Sequence, residues 1–82
     1  MAAGMISVML VDDHVLVRKG FRLLLQDAPD ISVVAEADSG EDACRLFPEH
    51  LPAVTIMDIS MPGIGGIEAM RRILGKHPEA RI

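Results

Sequence analysis

Two periods alternate along the chain. Ile6 to Val11 is a short, nearly unbroken aliphatic run closed by Asp12-Asp13, the pattern of a buried strand. From Val15 to Ala28 the apolar positions Val17, Phe21, Leu24, Leu25 and Ala28 recur at helical spacing, with Arg18, Lys19, Arg22 and Gln26 mostly on the other side. Asp12 or Asp13 can cap this helix, and Pro29 ends it. Ile31 to Ala37 predicts a second strand, and Ser39-Gly40-Glu41-Asp42 opens a second helix. Proline inside a helix loses a hydrogen bond and crowds the preceding turn, so that helix is expected to end near Phe47, with 48–52 as a connector.

Ala53 to Asp58 is a third strand ending in a carboxylate, and 61–66 is a loop by its Pro and Gly content. Ile67, Met70, Ile73 and Leu74 then line one face of a third helix. Glu68 stands one turn before Arg72, a favourable pairing. Pro78 stops this helix, and Ala80-Arg81-Ile82 reads as the stub of a fourth strand. Strands joined through single helices cannot form hairpins, so the sheet is expected to be parallel with right-handed crossovers. The expected fold is α/β and doubly wound, with residues 1–5 as a tail and 6–82 as one unit.

Composition narrows this further. Half of the 82 residues are hydrophobic and a quarter charged, which suits a globular chain, but only Phe21 and Phe47 are aromatic. The core must therefore be aliphatic and methionine-rich, with Met57 and Met70 as fillers and Met61 against the pocket wall. A formal net charge of -4, with basic residues scattered, argues against a nucleic-acid or anionic-membrane surface. The single cysteine, Cys44, excludes an intrachain disulfide and suits a reducing, cytoplasmic setting. It reads as a small, part-buried, unreactive helix residue. The start, Met1-Ala2-Ala3-Gly4-Met5, lacks a basic segment, and the following apolar run is too short for a signal peptide or a membrane span.

In open parallel sheets, functional groups collect beyond the carboxyl ends of the strands. Those ends here carry Asp12-Asp13 and Asp58, and in the usual doubly wound order the first and third strands are neighbours. Taken singly, the pair could be a helix cap and Asp58 a turn residue. Together they put three carboxylates in one pocket, a costly cluster unless a cation or shared proton relieves it. Hard oxygen donors with room for water suit Mg²⁺.

At this point a resemblance becomes specific. Leu10-Val11-Asp12-Asp13-His14 and Met57-Asp58-Ile59-Ser60-Met61-Pro62-Gly63 resemble the two signatures of bacterial response-regulator receiver domains. Residues 15–21 and 37–41 are similar to the NarL/FixJ subfamily, whose members usually carry a LuxR-type DNA-binding domain. The resemblance runs from Met5 onward and implies a flavodoxin-like receiver fold, incomplete here: three strands and three helices against five of each. It implies that Asp58 accepts a phosphoryl group from the phosphohistidine of a sensor histidine kinase. It further implies that Asp13 and Asp58 ligate Mg²⁺ directly, that Asp12 assists, and that the Ser60 backbone carbonyl completes the protein ligands. The Ser60 side chain, two residues beyond Asp58, reads either as an ordinary loop hydroxyl or as a control on water access and phosphate lifetime. DNA would be met only through an output domain outside this stretch, and no membrane is involved.

Other signals fall away. Gly63-Ile64-Gly65-Gly66 begins like a dinucleotide fingerprint, but Glu68 occupies the third glycine position. Gly75-Lys76-His77 has His where a phosphate loop needs Ser or Thr, and adjacent Asp12 and Asp13 lack the alternate spacing of haloacid-dehalogenase-like phosphatases. His14 could donate to a phosphoryl oxygen, although the plainer reading is a part-exposed first-turn residue; His50 and His77 read as surface. Three classes of function remain: a phosphoacceptor signalling module, which is not an enzyme beyond slow self-phosphorylation and dephosphorylation; a Mg²⁺-dependent hydrolase; and a phosphorylation-independent interaction or oligomerisation fragment. The last is suggested by family residues that this stretch does not supply, the hydroxyl and lysine ending strands four and five. An open edge at strand three and an uncovered first helix are further expected to favour a homo-oligomer, or to mark a piece of a longer chain.

Overall fold

The computed structural model describes residues 5–82. Of the expected tail, residues 1–4 lie outside the described part, and Met5 is exposed. The elements follow in strict alternation: β1 (Ile6–Val11), α1 (Val15–Gln26), β2 (Ile31–Ala37), α2 (Gly40–His50), β3 (Val54–Met57) and α3 (Gly65–Lys76). The strands form one parallel sheet in the order β2-β1-β3. In that order, the right-handed crossovers that parallel strands almost always make put α1 on one face and α2 on the other. The first and third strands are thus neighbours, as the sequence predicts.

Register decides which side chains meet which helices. Met9 lies beside Thr55 and Ala35, and Val11 beside Met57 and Ala37. Met9, Val11 and Ala37 join Ala43, Phe47, Met61 and Ile73 in a buried cluster, with Ala35 and Met57 packed against it. The β1–β2 pairing slips by one residue between Val8 and Met9, which leaves Val34 out of register and exposed. Beyond the slip, Glu36 stands beside Leu10 and pairs with Arg18 and Arg22 of α1, at 3.0 and 3.4 Å.

Several expectations need correction. Helix α2 runs through Pro48 to His50 instead of ending near Phe47. Pro48 falls in the last turn, where its missing N–H costs a single bond, to the Cys44 carbonyl. The helix then closes with Leu51 in the left-handed region (φ 45°), its N–H donating to the Phe47 carbonyl at 2.7 Å. Helix α1 stops at Gln26, two residues early, and neither aspartate caps it in the usual way: its N-cap is His14, which makes no side-chain cap bond. In α3 the buried positions are Gly66, Ala69 and Ile73, and Ile67 points to solvent. His77 is not simply surface, because its ring packs on Phe47 with centroids 4.9 Å apart. Met61 belongs to the core and not to the pocket wall.

Residues 80–82 form no regular strand, but the Thr55 N–H donates to the Arg81 carbonyl at 2.8 Å. The chain there takes one step of the pairing expected of a fourth strand, so the outer edge of β3 is partly occupied. No described helix is long and apolar enough to cross a membrane.

Candidate acidic metal and phosphoacceptor site

The site forms where β1 and β3 end side by side. The ladder continues one residue past each strand: the Asp58 N–H donates to the Val11 carbonyl at 2.9 Å, and the Asp12 N–H to the Ala37 carbonyl at 3.0 Å. These bonds hold the two carboxylate-bearing backbones in register with the rigid sheet. Side-chain oxygens of Asp12, Asp13 and Asp58, together with a ring nitrogen of His14, all lie within 4.8 Å of one another. The convergence expected from the sequence is therefore present, and His14 is added to it.

Each member is held differently. One oxygen of Asp12, Oδ1, accepts both the His14 N–H and the His14 ring Nδ1, each at 2.8 Å. The Asp12 carbonyl accepts from the Arg18 guanidinium at 2.7 Å, while the Arg18 Nε donates to Glu36. This largely buried arginine thus ties the pocket floor to α1 and β2. Asp58 Oδ1 accepts the Ser60 N–H at 3.0 Å, closing a local turn, and its Oδ2 lies 3.9 Å from His14 Nδ1. Asp13 Oδ1 is buried with no hydrogen-bond partner, and the His14 Nδ1 lying 3.2 Å away is already engaged by Asp12.

That orphaned oxygen is the test of fit for a metal. A buried carboxylate oxygen without a partner is costly, and a cation among three carboxylates would relieve it. The donors are mostly hard oxygens, which suit Mg²⁺. In this arrangement the acids instead act on His14: the hydrogen bond to Asp12 first, then the charges of Asp13 and Asp12, raise its pKa above the ordinary value.

Close backbone packing shapes the loop after Asp58. A Cβ at Gly66 would clash with the Asp58 carbonyl and stand 2.6 Å from the Ile59 Cα, so only glycine lets α3 begin directly beneath the site. The Gly66 N–H donates to the Ile59 carbonyl at 3.3 Å, and Gly65 turns the chain with φ +77°. The sequence marks 61–66 only as a loop; its glycines also clamp Asp58 to the start of α3. His14 is likewise only weakly marked in the sequence, by its place directly after the acidic pair. A cavity of about 220 Å³ on the α1 side reaches the site, lined by Leu10, Phe21, Ile56, Asp12 and Asp58 among others.

Comparison with known proteins agrees with this geometry. A family model described as the response regulator receiver domain matches residues 8–82. The chain is 47% identical over 78 residues to the response regulator GacA of Pseudomonas viridiflava, covering 95% of this chain and 36% of that protein. It is 50% identical over 78 residues to the response regulator UvrY of Escherichia coli K12, with the same coverage. It thus spans little more than a third of these relatives. A two-component response regulator of the LuxR family from Aurantimonas sp. SI85-9A1 superposes with a TM-score of 0.91 at 46% identity, over 95% of this chain and 56% of that one.

Proposed function

Because the chain belongs to the response regulator receiver domain family, we propose that it is the phosphoacceptor module of a bacterial two-component system, with Asp58 as the acceptor. The donor is the phosphohistidine of a sensor histidine kinase. The partner it controls is a DNA-binding output domain in the same protein, as the similarity to a LuxR-family regulator suggests. The protein works in the cytoplasm, and this reading does not require copies to associate. The observation that carries it is the convergence of Asp12, Asp13 and Asp58 at the ends of adjacent strands.

The chain's own residues divide the work. Asp58 has one oxygen, Oδ1, accepting the Ser60 N–H and the other, Oδ2, facing the acidic pocket, so that one would meet the ion while the other meets phosphorus. In the transfer an Asp58 oxygen forms the new O–P bond and the P–N bond to the donor imidazole breaks. The electron pair returns to that nitrogen, which takes up a proton. The attack brings anions together, and Mg²⁺, which Asp12, Asp13, Asp58 and the Ser60 carbonyl would hold, would supply charge that offsets the repulsion. Asp12 and Asp13 would hold that ion, while Arg18 keeps the backbone beneath Asp12 in place.

Intact-mass analysis after incubation with acetyl phosphate and Mg²⁺ tests the proposal. A single phosphoryl adduct is expected, absent in Asp58→Asn. An adduct that persists in Asp58→Asn would overturn the assignment of the acceptor. No adduct despite Mg²⁺ binding would favour a phosphorylation-independent interaction module. Turnover of a generic phosphoester that is lost in Asp58→Asn would favour the hydrolase.

A further inference from the structure

We propose that His14 is a fourth side-chain ligand of the acidic pocket, so that the site holds Mn²⁺, Co²⁺ or Ni²⁺ through a nitrogen that Mg²⁺ does not use. The inference rests on the reading of Asp12, Asp13 and Asp58 as the residues that hold a cation. What it adds is a residue and a consequence for which ion the pocket prefers.

The geometry comes first. His14 Nδ1 lies 2.8 Å from Asp12 Oδ1, 3.2 Å from Asp13 Oδ1 and 3.9 Å from Asp58 Oδ2. Around an octahedral ion with bonds of about 2.1 Å, adjacent donors are about 3.0 Å apart and opposite donors about 4.2 Å. The separations from Asp13 and Asp58 fall between those of adjacent and opposite donors. The shortest of these separations is a hydrogen bond, but one ligand atom from each of the four residues lies within 4.8 Å of the others, so a turn of the ring away from Asp12 brings its nitrogen to an ion shared with the carboxylates.

The backbone explains why the ring is there. His14 is the N-cap residue of α1 in extended conformation (φ -93°, ψ 108°), and its N–H is bound by Asp12 Oδ1. The turn that starts the helix therefore fixes the Cα from which the ring reaches back over the carboxylates. The ring is well exposed, so pivoting to face an ion would not break a packed contact. An ion in the pocket would replace the ring's bond to Asp12 with a bond from each to the metal.

Chemistry then sets the preference. Imidazole is a good ligand for first-row transition ions, with affinity rising from Mn²⁺ through Co²⁺ to Ni²⁺, whereas Mg²⁺ favours oxygen and water. Three carboxylates alone would rank these ions weakly; a nitrogen in the set steepens the order. Receiver domains with a non-ligating residue after the acidic pair should lack that steepening.

Titration calorimetry of the chain with MgCl₂, MnCl₂ and NiCl₂, in one buffer at fixed alkaline pH, tests this. In His14→Gln, Ni²⁺ affinity is expected to fall about tenfold or more and Mg²⁺ affinity to change less than about twofold. Visible absorption of bound Co²⁺ should shift between the two proteins, a readout that depends on ligand type and not on activity. The Ni²⁺ heat should vanish in Asp58→Asn, which distinguishes this site from His50 and His77. Equal Ni²⁺ affinity in wild type and His14→Gln would overturn the assignment. Ni²⁺ binding that depends on His14, with no Mg²⁺ binding at all in the wild type, would overturn the Mg²⁺ reading and leave the His14 assignment standing.

Discussion

Helix α1 packs on one face of the sheet and α2 with α3 on the other, and the two faces bury very different amounts of side chain. Both α2 and α3 contribute buried residues, among them Phe47 and Ile73, which meet Met9 and Val11 from the strands. None of the α1 residues is buried; Leu16 is 84% and Leu24 72% exposed. The three helices are similarly amphipathic and of similar length, so local pattern does not separate them. What separates them is company. Two helices packed side by side close the groove between them, and each covers the flank of the other. A single helix on a sheet covers the strands beneath it, as the buried Leu10 shows, but leaves its own flanks open.

Phe47→Ala should cost about 3–5 kcal/mol, enough to unfold a chain of this size, whereas Leu24→Ala on α1 should change stability by less than about 0.5 kcal/mol. Urea denaturation followed by circular dichroism measures both, and equal losses would break the comparison. Next, Gly66→Ala forces a methyl against the Asp58 backbone. It should cost about 1–3 kcal/mol and also displace Asp58, visible as weakened Mg²⁺ binding alongside the lowered midpoint.

The tightly packed side carries its own strain at Leu51, an exposed residue with positive φ. Leu51→Gly should therefore raise stability by about 0.5–1 kcal/mol, read as a higher urea midpoint. His14 links the start of α1 to the pocket. His14 has a raised pKa in the folded chain because of Asp12 and then Asp13. Its contribution is thus fully present below the ordinary imidazole value of about 6.5 and is lost as pH rises through the raised one. In metal-free buffer the wild type should lose this small increment over that window, and His14→Gln should show no such loss.

Much of this molecule can be read from its residues. Apolar runs of strand length, helical spacing between them and a carboxylate at the end of β1 and just past β3 are local features, and they fix the parallel alternation and the acidic pocket. The places where expectation failed share a cause. Pro48 is tolerated because of its distance from the helix end, which is decided by where the turn at Leu51 closes. The inward face of α3 is Gly66, Ala69 and Ile73, because the close approach to Asp58 and Ile59 selects small residues over the larger Ile67.

The order of elements, the parallel pairing of the strands and the identity of the three acids are all legible in the residues, since each depends on short-range pattern and chain connectivity. That His14 turns its ring onto those acids, and that Gly66 lies under Asp58, is settled by packing in three dimensions. Those outcomes depend on which surfaces come within a few ångströms of one another, and that distance is set by packing across the sheet.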